Sequence, residues 1–588
     1  MSLILIGIAL TVFEGDVLYR VQAHSLFLHT PLFFQQCLVT PGGLLGWAGA
    51  YLTQYFYYPA LGATILCLCW ALMMGLLIAA FRIPARLTIL ALVPVALLLI
   101  TDVDLGYWIF YLKLRGYFYV GTLGTMAAAG LVWLYRRLEG HGPWAGFLFA
   151  FASAGFGYPL FGYYGLLGTL LIIVIVWRIK AGGRERIATA IGGAQGIVLV
   201  PIACYYLIYH ETNIVNIYWV ALPTFRLYQT NCPTYYIPYT LLTLWLIGLA
   251  AVPRRAQDAT VPGRWSALAA YGLGLGLVLA VGFCWCKDGN FHRELRMSRA
   301  IDVQAWEKVI VLSDTDHPTR AICMMRNLAL FRLGRQGDEM YHYPDGDYAP
   351  ASPFPIRLVQ TEGKALYLHY GLTNFCYRWC IEDGVEYGWT AEGLELMTKC
   401  ALLNGEQEAV RKYISLLRKT TFHRQGCLRY EAYLRNPRLM LRDVELGPIL
   451  TLLKHDDDYL TSDNADCEQF MINHFASAES RNPLYQELTL LAALQLRNRQ
   501  VFWHRFYQYT ELHPEQRAPL HYQEAACLFG RLSEEVDTSR MPFDRQVIER
   551  CDAFLAALAQ HQGQAQQTVA QALYAKFHDT YFYHYFFN

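Results

Sequence analysis

Apolar and polar positions follow one rule up to about residue 290 and another beyond it. In the first part, apolar residues run almost unbroken for stretches that approach the roughly 20 residues of helix needed to cross a hydrocarbon core. Such stretches lie at 59–80, 87–101, 117–134, 143–158, 161–177, 187–208, 236–252 and 265–285. Another run, at 2–13, is only about half the required length, so either its helix continues past Glu14 or the native start lies upstream of Met1. No basic stretch precedes this run and no small-residue cleavage site follows it, which argues against a signal peptide. With that run included, the pattern predicts about nine spans in residues 1–290, and a long first outer segment at 14–58.

From about Asp302 the apolar positions recur with a period near 3.6, the mark of amphipathic helices. One helix is expected at Ala391–Leu403, a stop at Asn404 and Gly405, and a returning helix at 406–419 with Ala409, Tyr413 and Leu416 facing back. Weaker pairs fall at 303–334, where Pro318 opens the second helix, and at 484–512. These pairs resemble tetratricopeptide repeats, and the resemblance implies a concave surface that binds a protein or peptide. The expected fold is therefore all-α: a polytopic helical membrane domain at 1–290, then a soluble α-helical repeat domain at 291–588. Pro, Asp and Tyr at 341–355 predict a long loop between helices. The end of the chain holds Tyr581, Phe582, Tyr583, Tyr585, Phe586 and Phe587. This aromatic tail is expected to dock on the membrane half or the bilayer surface, because so much apolar area would not stay in water.

Charge sets the orientation. Residues 1–285 carry 15 Lys+Arg and 8 Asp+Glu, against 33 and 39 in residues 286–588. Alternate loops of the first part separate sharply: one set holds Arg82, Arg86, Arg136, Arg137, Arg178, Lys180, Arg184, Arg186, Arg254, Arg255 and Arg264, and the other only Arg20, Lys113, Arg115 and Arg226. Translocating positive charge is disfavoured, so the richer set belongs in the cytoplasm. The protein is then expected in the inner membrane with its C-terminal domain in the periplasm. Tyr55, Phe56, Tyr57, Tyr58 and Trp177 sit where interfacial aromatic belts form. No polybasic stretch tracks a nucleic-acid backbone, which argues against nucleic acid as a partner. The 15 cysteines show no paired CxxC spacing, so neither a zinc site nor a disulfide framework is expected. Cys67, Cys69 and Cys204 fall in apolar runs, and Cys376 and Cys380 read as core residues of a helix pair.

Candidate chemistry gathers at the outer ends of the spans. Glu14 and Asp16 follow the first apolar run, and two carboxylates at a membrane surface suit a divalent cation such as Mg²⁺ or Mn²⁺, or the removal of a proton from an acceptor hydroxyl. Behind them come Arg20, Gln22, His24 and His29 on a part-apolar frame that predicts surface-lying or re-entrant helices. Asp102 and Asp104 end a later span, with Lys113 and Arg115 close behind, and His210, Glu211 and Arg226 lie in the outer segment 209–235. Each has a plainer reading as well. Acidic pairs also cap helices or mark topology, histidines pack at interfaces, and outer arginines contact anionic headgroups.

This layout resembles the type C glycosyltransferases, membrane enzymes whose first outer loop carries an acidic motif and whose donors are polyprenyl-linked sugars. It rests on Glu14 and Asp16, the long first outer segment, the later outer acidic residues and the soluble C-terminal domain. The resemblance implies transfer of a sugar or oligosaccharide from a polyprenyl phosphate or diphosphate to an acceptor, a protein among the possibilities, at the outer face. It implies Asp16 as general base or metal ligand with Glu14 as its partner, and Arg115 and Arg226 as the clamp on the carrier phosphate. Arg20, His24, Asp102, Asp104, His210 and Glu211 would then contact substrate. The chain also resembles an uncharacterised family of polytopic Bacteroidota proteins, through the stretches 52–63, 108–120 and 389–403. The rival reading is a scaffold without chemistry whose periplasmic repeats recruit envelope or secretion partners. A transporter fits less well, because no charge falls in mid-span and no internal duplication is visible.

Overall fold

The computed structural model describes residues 2–137, 142–178, 182–252, 263–346, 348–453, 461–533 and 536–587. Lys180, Arg254 and Arg255 lie outside the described residues, as does the side chain of Arg264. Among the described residues, regular structure is helical apart from one hairpin, in which Arg226 pairs with Asn231 and Leu227 with Thr230.

The chain opens with α1 (Ser2–Phe13) and α2 (Gly15–Ala23), followed by the short helices α3 (Pro31–Cys37) and α4 (Gly43–Thr53). Long apolar helices come next: α5 (Pro59–Phe81), α6 (Leu92–Val103, extended to Ala85 by a 3₁₀ turn), α7 (Tyr117–Arg137) and α8 (Pro143–Phe161). After α9 (Tyr163–Val176) and α10 (Gly183–Leu207) come α11 (Ile237–Ala251) and α12 (Gly263–Cys284), and then α13 (Gly289–Asp302). Six of these segments are long and apolar enough to cross a membrane, and the bent pairs α1–α2 and α12–α13 raise the number to eight. The pattern of the sequence predicts about nine. The difference is α9, whose 14 residues fall short of a span.

The long helices leave apolar side chains such as Leu68, Leu72, Phe156, Val278 and Phe283 exposed on their outer faces, as lipid-facing surfaces are. Inside the bundle, polar groups find partners across helices: Trp70 Nε1 donates to Thr122 Oγ1 at 3.0 Å, and Tyr119 Oη to the Gly62 carbonyl at 3.1 Å. The start of α7 lies tight against α4. Gly116 has φ +67°, and a Cβ there would meet the Ala50 nitrogen at 2.3 Å. Gly116→Ala is therefore expected to cost at least about 1–3 kcal/mol, the usual toll of a strained backbone position. A clear fall in the thermal unfolding midpoint of the detergent-purified protein is the expected reading.

In the C-terminal half the expected helix–turn–helix at Ala391–Leu403 and Gln407–Leu417 is present, with the turn at Asn404 and Gly405 (φ +76°). Residues 343–346 and 348–357 are irregular, and Phe354 packs on Trp108 of the membrane half, with ring centroids 4.5 Å apart. The aromatic tail departs from expectation. Helix Tyr581–Phe587 turns inward, where Tyr581 meets Phe529 and Phe582 meets Phe554, each with centroids 5.8 Å apart. Its apolar area is buried by the C-terminal half itself, so neither membrane nor membrane half is needed to cover it.

Candidate functional site

Two helix elbows meet at the C-terminal ends of α1 and α12. The first turns by 74° at Glu14, where α1 gives way to α2. Asp16 falls in the first turn of α2, where the helix dipole favours a carboxylate, and its Oδ1 accepts from Val17 N at 3.0 Å. The second elbow, of 69°, follows Cys284. Asp288 accepts from Asn290 N at 2.9 Å and Phe291 N at 3.3 Å, capping α13 and fixing its direction. On α13, His292, Arg296 and Arg299 stand at i, i+4 and i+7 and share one face.

The elbows are tied together side chain to side chain. Trp285 Nε1 donates to Glu14 Oε1. His292 Nδ1 lies 3.2 and 3.1 Å from the two Asp16 oxygens, while its Nε2 stands 4.0 Å from Glu14 Oε1. Arg296 Nε is 3.5 Å from Asp16 Oδ2. Because a carboxylate only accepts, this geometry places the proton on Nδ1 and leaves Nε2 facing Glu14. Burial resists a charged imidazole, yet the hydrogen bond and charge of Asp16, with the charge of Glu14, outweigh it and raise the His292 pKa. Burial also lifts Glu14, to about 7, against the opposing pull of His292 and Trp285.

Between the elbows opens a cavity of about 950 Å³. Thr11, Val12 and Phe13 of α1 and Gly282 of α12 line its membrane side. Asp16, Lys287, His292, Arg296, Arg299 and Lys308 supply the charged and titratable part of its lining, beside Trp285, Ala300 and Val303. Four exposed cations against one carboxylate give this lining a net positive charge. A second cavity, of about 640 Å³, lies across the same linker and shares Cys286 and Lys287 with the first. Its lining mixes Tyr107, Trp108, Tyr235, Tyr348 and Phe354 with Asp104, Asn290, Arg293 and His317.

Other candidates from the sequence are placed elsewhere. Arg20 is buried and joins the two halves: it donates to Glu392 Oε1 at 2.9 Å, Glu362 Oε1 at 3.1 Å and the Thr361 carbonyl at 3.3 Å. His24 Nε2 sits 3.2 Å from the same Glu392. Asp102 is buried among the packed helices, whereas Asp104 reaches the second cavity. Arg115 points at Cys37 Sγ, 3.4 Å away, and lies over the Phe33 ring. His210, Glu211 and Arg226 are exposed and line neither cavity. Among the described residues, no group of three or more His, Cys, Asp or Glu side chains is disposed to hold a metal ion.

Trp285, Lys287, His292, Arg296 and Arg299 escape a reading that divides the chain at 290. The i, i+4, i+7 series of basic residues directly after a span end is the signal that marks them. No curated protein and no solved structure matches the chain. One family model covers residues 1–588, and the chain belongs to that family, described as a family of unknown function (DUF6057).

Proposed function

We propose that the protein is a membrane glycosyltransferase that moves a sugar from a polyprenyl phosphate or diphosphate to an acceptor at the outer face of the inner membrane. The observation that carries this reading is the cavity between the elbows, apolar toward the bilayer and cationic away from it, with the Asp16–His292 pair at its edge. An isoprenoid chain would lie along Val12, Phe13 and Gly282, and its phosphate would meet Lys287, Arg296, Arg299 and Lys308. Asp16 holds the His292 tautomer in which Nε2 is free to accept a proton, the orienting role a carboxylate plays in hydrolase triads.

In the step, an acceptor hydroxyl oxygen attacks the anomeric carbon and its proton passes to His292 Nε2. The bond from that carbon to the phosphate oxygen breaks, the electron pair leaves with the phosphate, and the cations stabilise it. The hydrogen bond and charge of Asp16, with the charge of Glu14, raise the His292 pKa and so strengthen it as a proton acceptor. In this reading α9 also crosses, giving nine spans, a cytoplasmic N-terminus and a periplasmic C-terminal half whose tetratricopeptide-like helix pairs present the acceptor. A scaffold requires neither the dyad nor the cations.

The test is binding of farnesyl phosphate to the purified protein. Arg296→Glu combined with Arg299→Glu is expected to weaken it by at least about tenfold, since charge-assisted contacts to phosphate turn into repulsions. Unchanged affinity in the double variant would remove the carrier site and this function with it.

A further inference from the structure

A third cavity, of about 380 Å³, lies where the membrane half meets the C-terminal half. Phe33 of α3, Ile109 and Leu112 from the outer segment before α7, and Met397 and Leu416 of the C-terminal helices form its walls. Tyr117 and Phe118 reach it from the first turn of α7, so it opens at the depth where that helix leaves the hydrocarbon. No residue is shared with the cationic cavity between the elbows.

Its rim is cationic. Lys113, Arg115 and Lys412 are all exposed. Lys113 faces Glu386 at 3.9 Å, with both side chains more than half exposed, whereas Arg115 and Lys412 pair with no carboxylate among the described residues. Beside them, Ile381 and Trp389 line the cavity while staying partly exposed. Apolar walls beneath exposed cations, at the height of the headgroups, complement an amphiphile with one negative headgroup and a hydrocarbon chain. The same pattern rejects a water-soluble anion, which gains nothing from the walls, and a zwitterionic lipid, which presents no net charge to the rim.

We propose that this cavity binds one acyl chain of an anionic phospholipid of the outer leaflet, with the lipid phosphate held by Lys113, Arg115 and Lys412. Because the walls come from both halves, the lipid bridges them, and anything that binds only the joined state stabilises it. This inference stands independently of the glycosyltransferase reading.

The full-length protein, purified from membranes and exchanged through detergent, is examined by native mass spectrometry and thermal unfolding in nanodiscs of phosphatidylglycerol or phosphatidylcholine. The wild type is expected to keep one phosphatidylglycerol and to unfold at a higher temperature in that lipid than in phosphatidylcholine. Arg115→Glu with Lys412→Glu is expected to reduce retention by at least about tenfold, and to abolish the difference in midpoint between phosphatidylglycerol and phosphatidylcholine. Met397→Trp, which fills the cavity with a bulkier apolar group, is expected to reduce retention through the chain instead of the headgroup. Equal retention of the two lipids, or undiminished phosphatidylglycerol in both variants, overturns the proposal. So does displacement of the phospholipid by stoichiometric farnesyl phosphate, which would make the occupant a carrier lipid.

Discussion

Asp16→Asn is expected to lower the proposed glycosyl transfer by about 10²- to 10⁴-fold while the protein still folds. The amide keeps the size of the carboxylate but loses its charge, and it can donate to the imidazole where Asp16 only accepts, so His292 is no longer fixed with Nε2 free. His292→Gln removes the proton acceptor and should cost as much. The two losses should not add, because the residues act as a unit. A pH profile separates this role from a merely structural one. Activity that needs neutral His292 rises with pH through the pKa of that residue, which Asp16 and Glu14 hold above its ordinary value. With the Asp16 charge removed, the rising limb of the residual activity should move to lower pH. The assay is complementation in the native host, scoring envelope glycans against protein abundance. Normal glycans at unchanged abundance in both variants would sink the assignment.

Arg20→Met should be the most destabilising single change outside the site. It removes the cation from two carboxylates with little access to water, Glu362 with its side chain 2% exposed and Glu392 with 17%. Breaking a buried pair from one side costs about 3–5 kcal/mol, far above the median surface ion pair. Adding Glu362→Gln and Glu392→Gln should recover much of the loss, because no charge is then left unpaired. Burial works against the Glu392 carboxylate, but Arg20 and His24 overcome it and hold its pKa well below the ordinary value of 4.5. That contribution is present above pH 4.5 and is lost as pH falls toward the folded value. In Arg20→Met the acid-induced fall in stability should accordingly shrink. A wild-type unfolding midpoint in the variant would show that the ion pairs contribute nothing.

The division into an apolar and an amphipathic half was legible because two solvents impose two patterns, and the turn at Asn404 and Gly405 because such residues end helices. Glu14 and Asp16 stood out for a physical reason as well: charge at the end of an apolar run is costly unless it is used. What the chain concealed was partnership. Arg20 and His24 looked like ligand contacts because nothing local paired them, yet their counter-ion Glu392 lies more than 360 residues away. His292, Arg296 and Arg299 carry the same spacing as an ordinary solvated helix face, and only the elbow at 285–288 turns that face onto Asp16. The aromatic tail failed expectation for a related reason, since apolar area declares that it will be buried without declaring where.

The placement of these partners also sets an order of manufacture. Arg20 is among the first residues made, and Glu362 follows it by 342 positions, on the order of tens of seconds at ordinary rates of synthesis. Asp16 waits through 276 positions for His292. Arg20 and Asp16 therefore wait for partners made much later, and a product truncated before residue 292 has neither its latch nor its dyad. An incomplete chain thus carries an unpaired Arg20 that the finished fold buries, so the order of synthesis itself separates unfinished chains from finished ones.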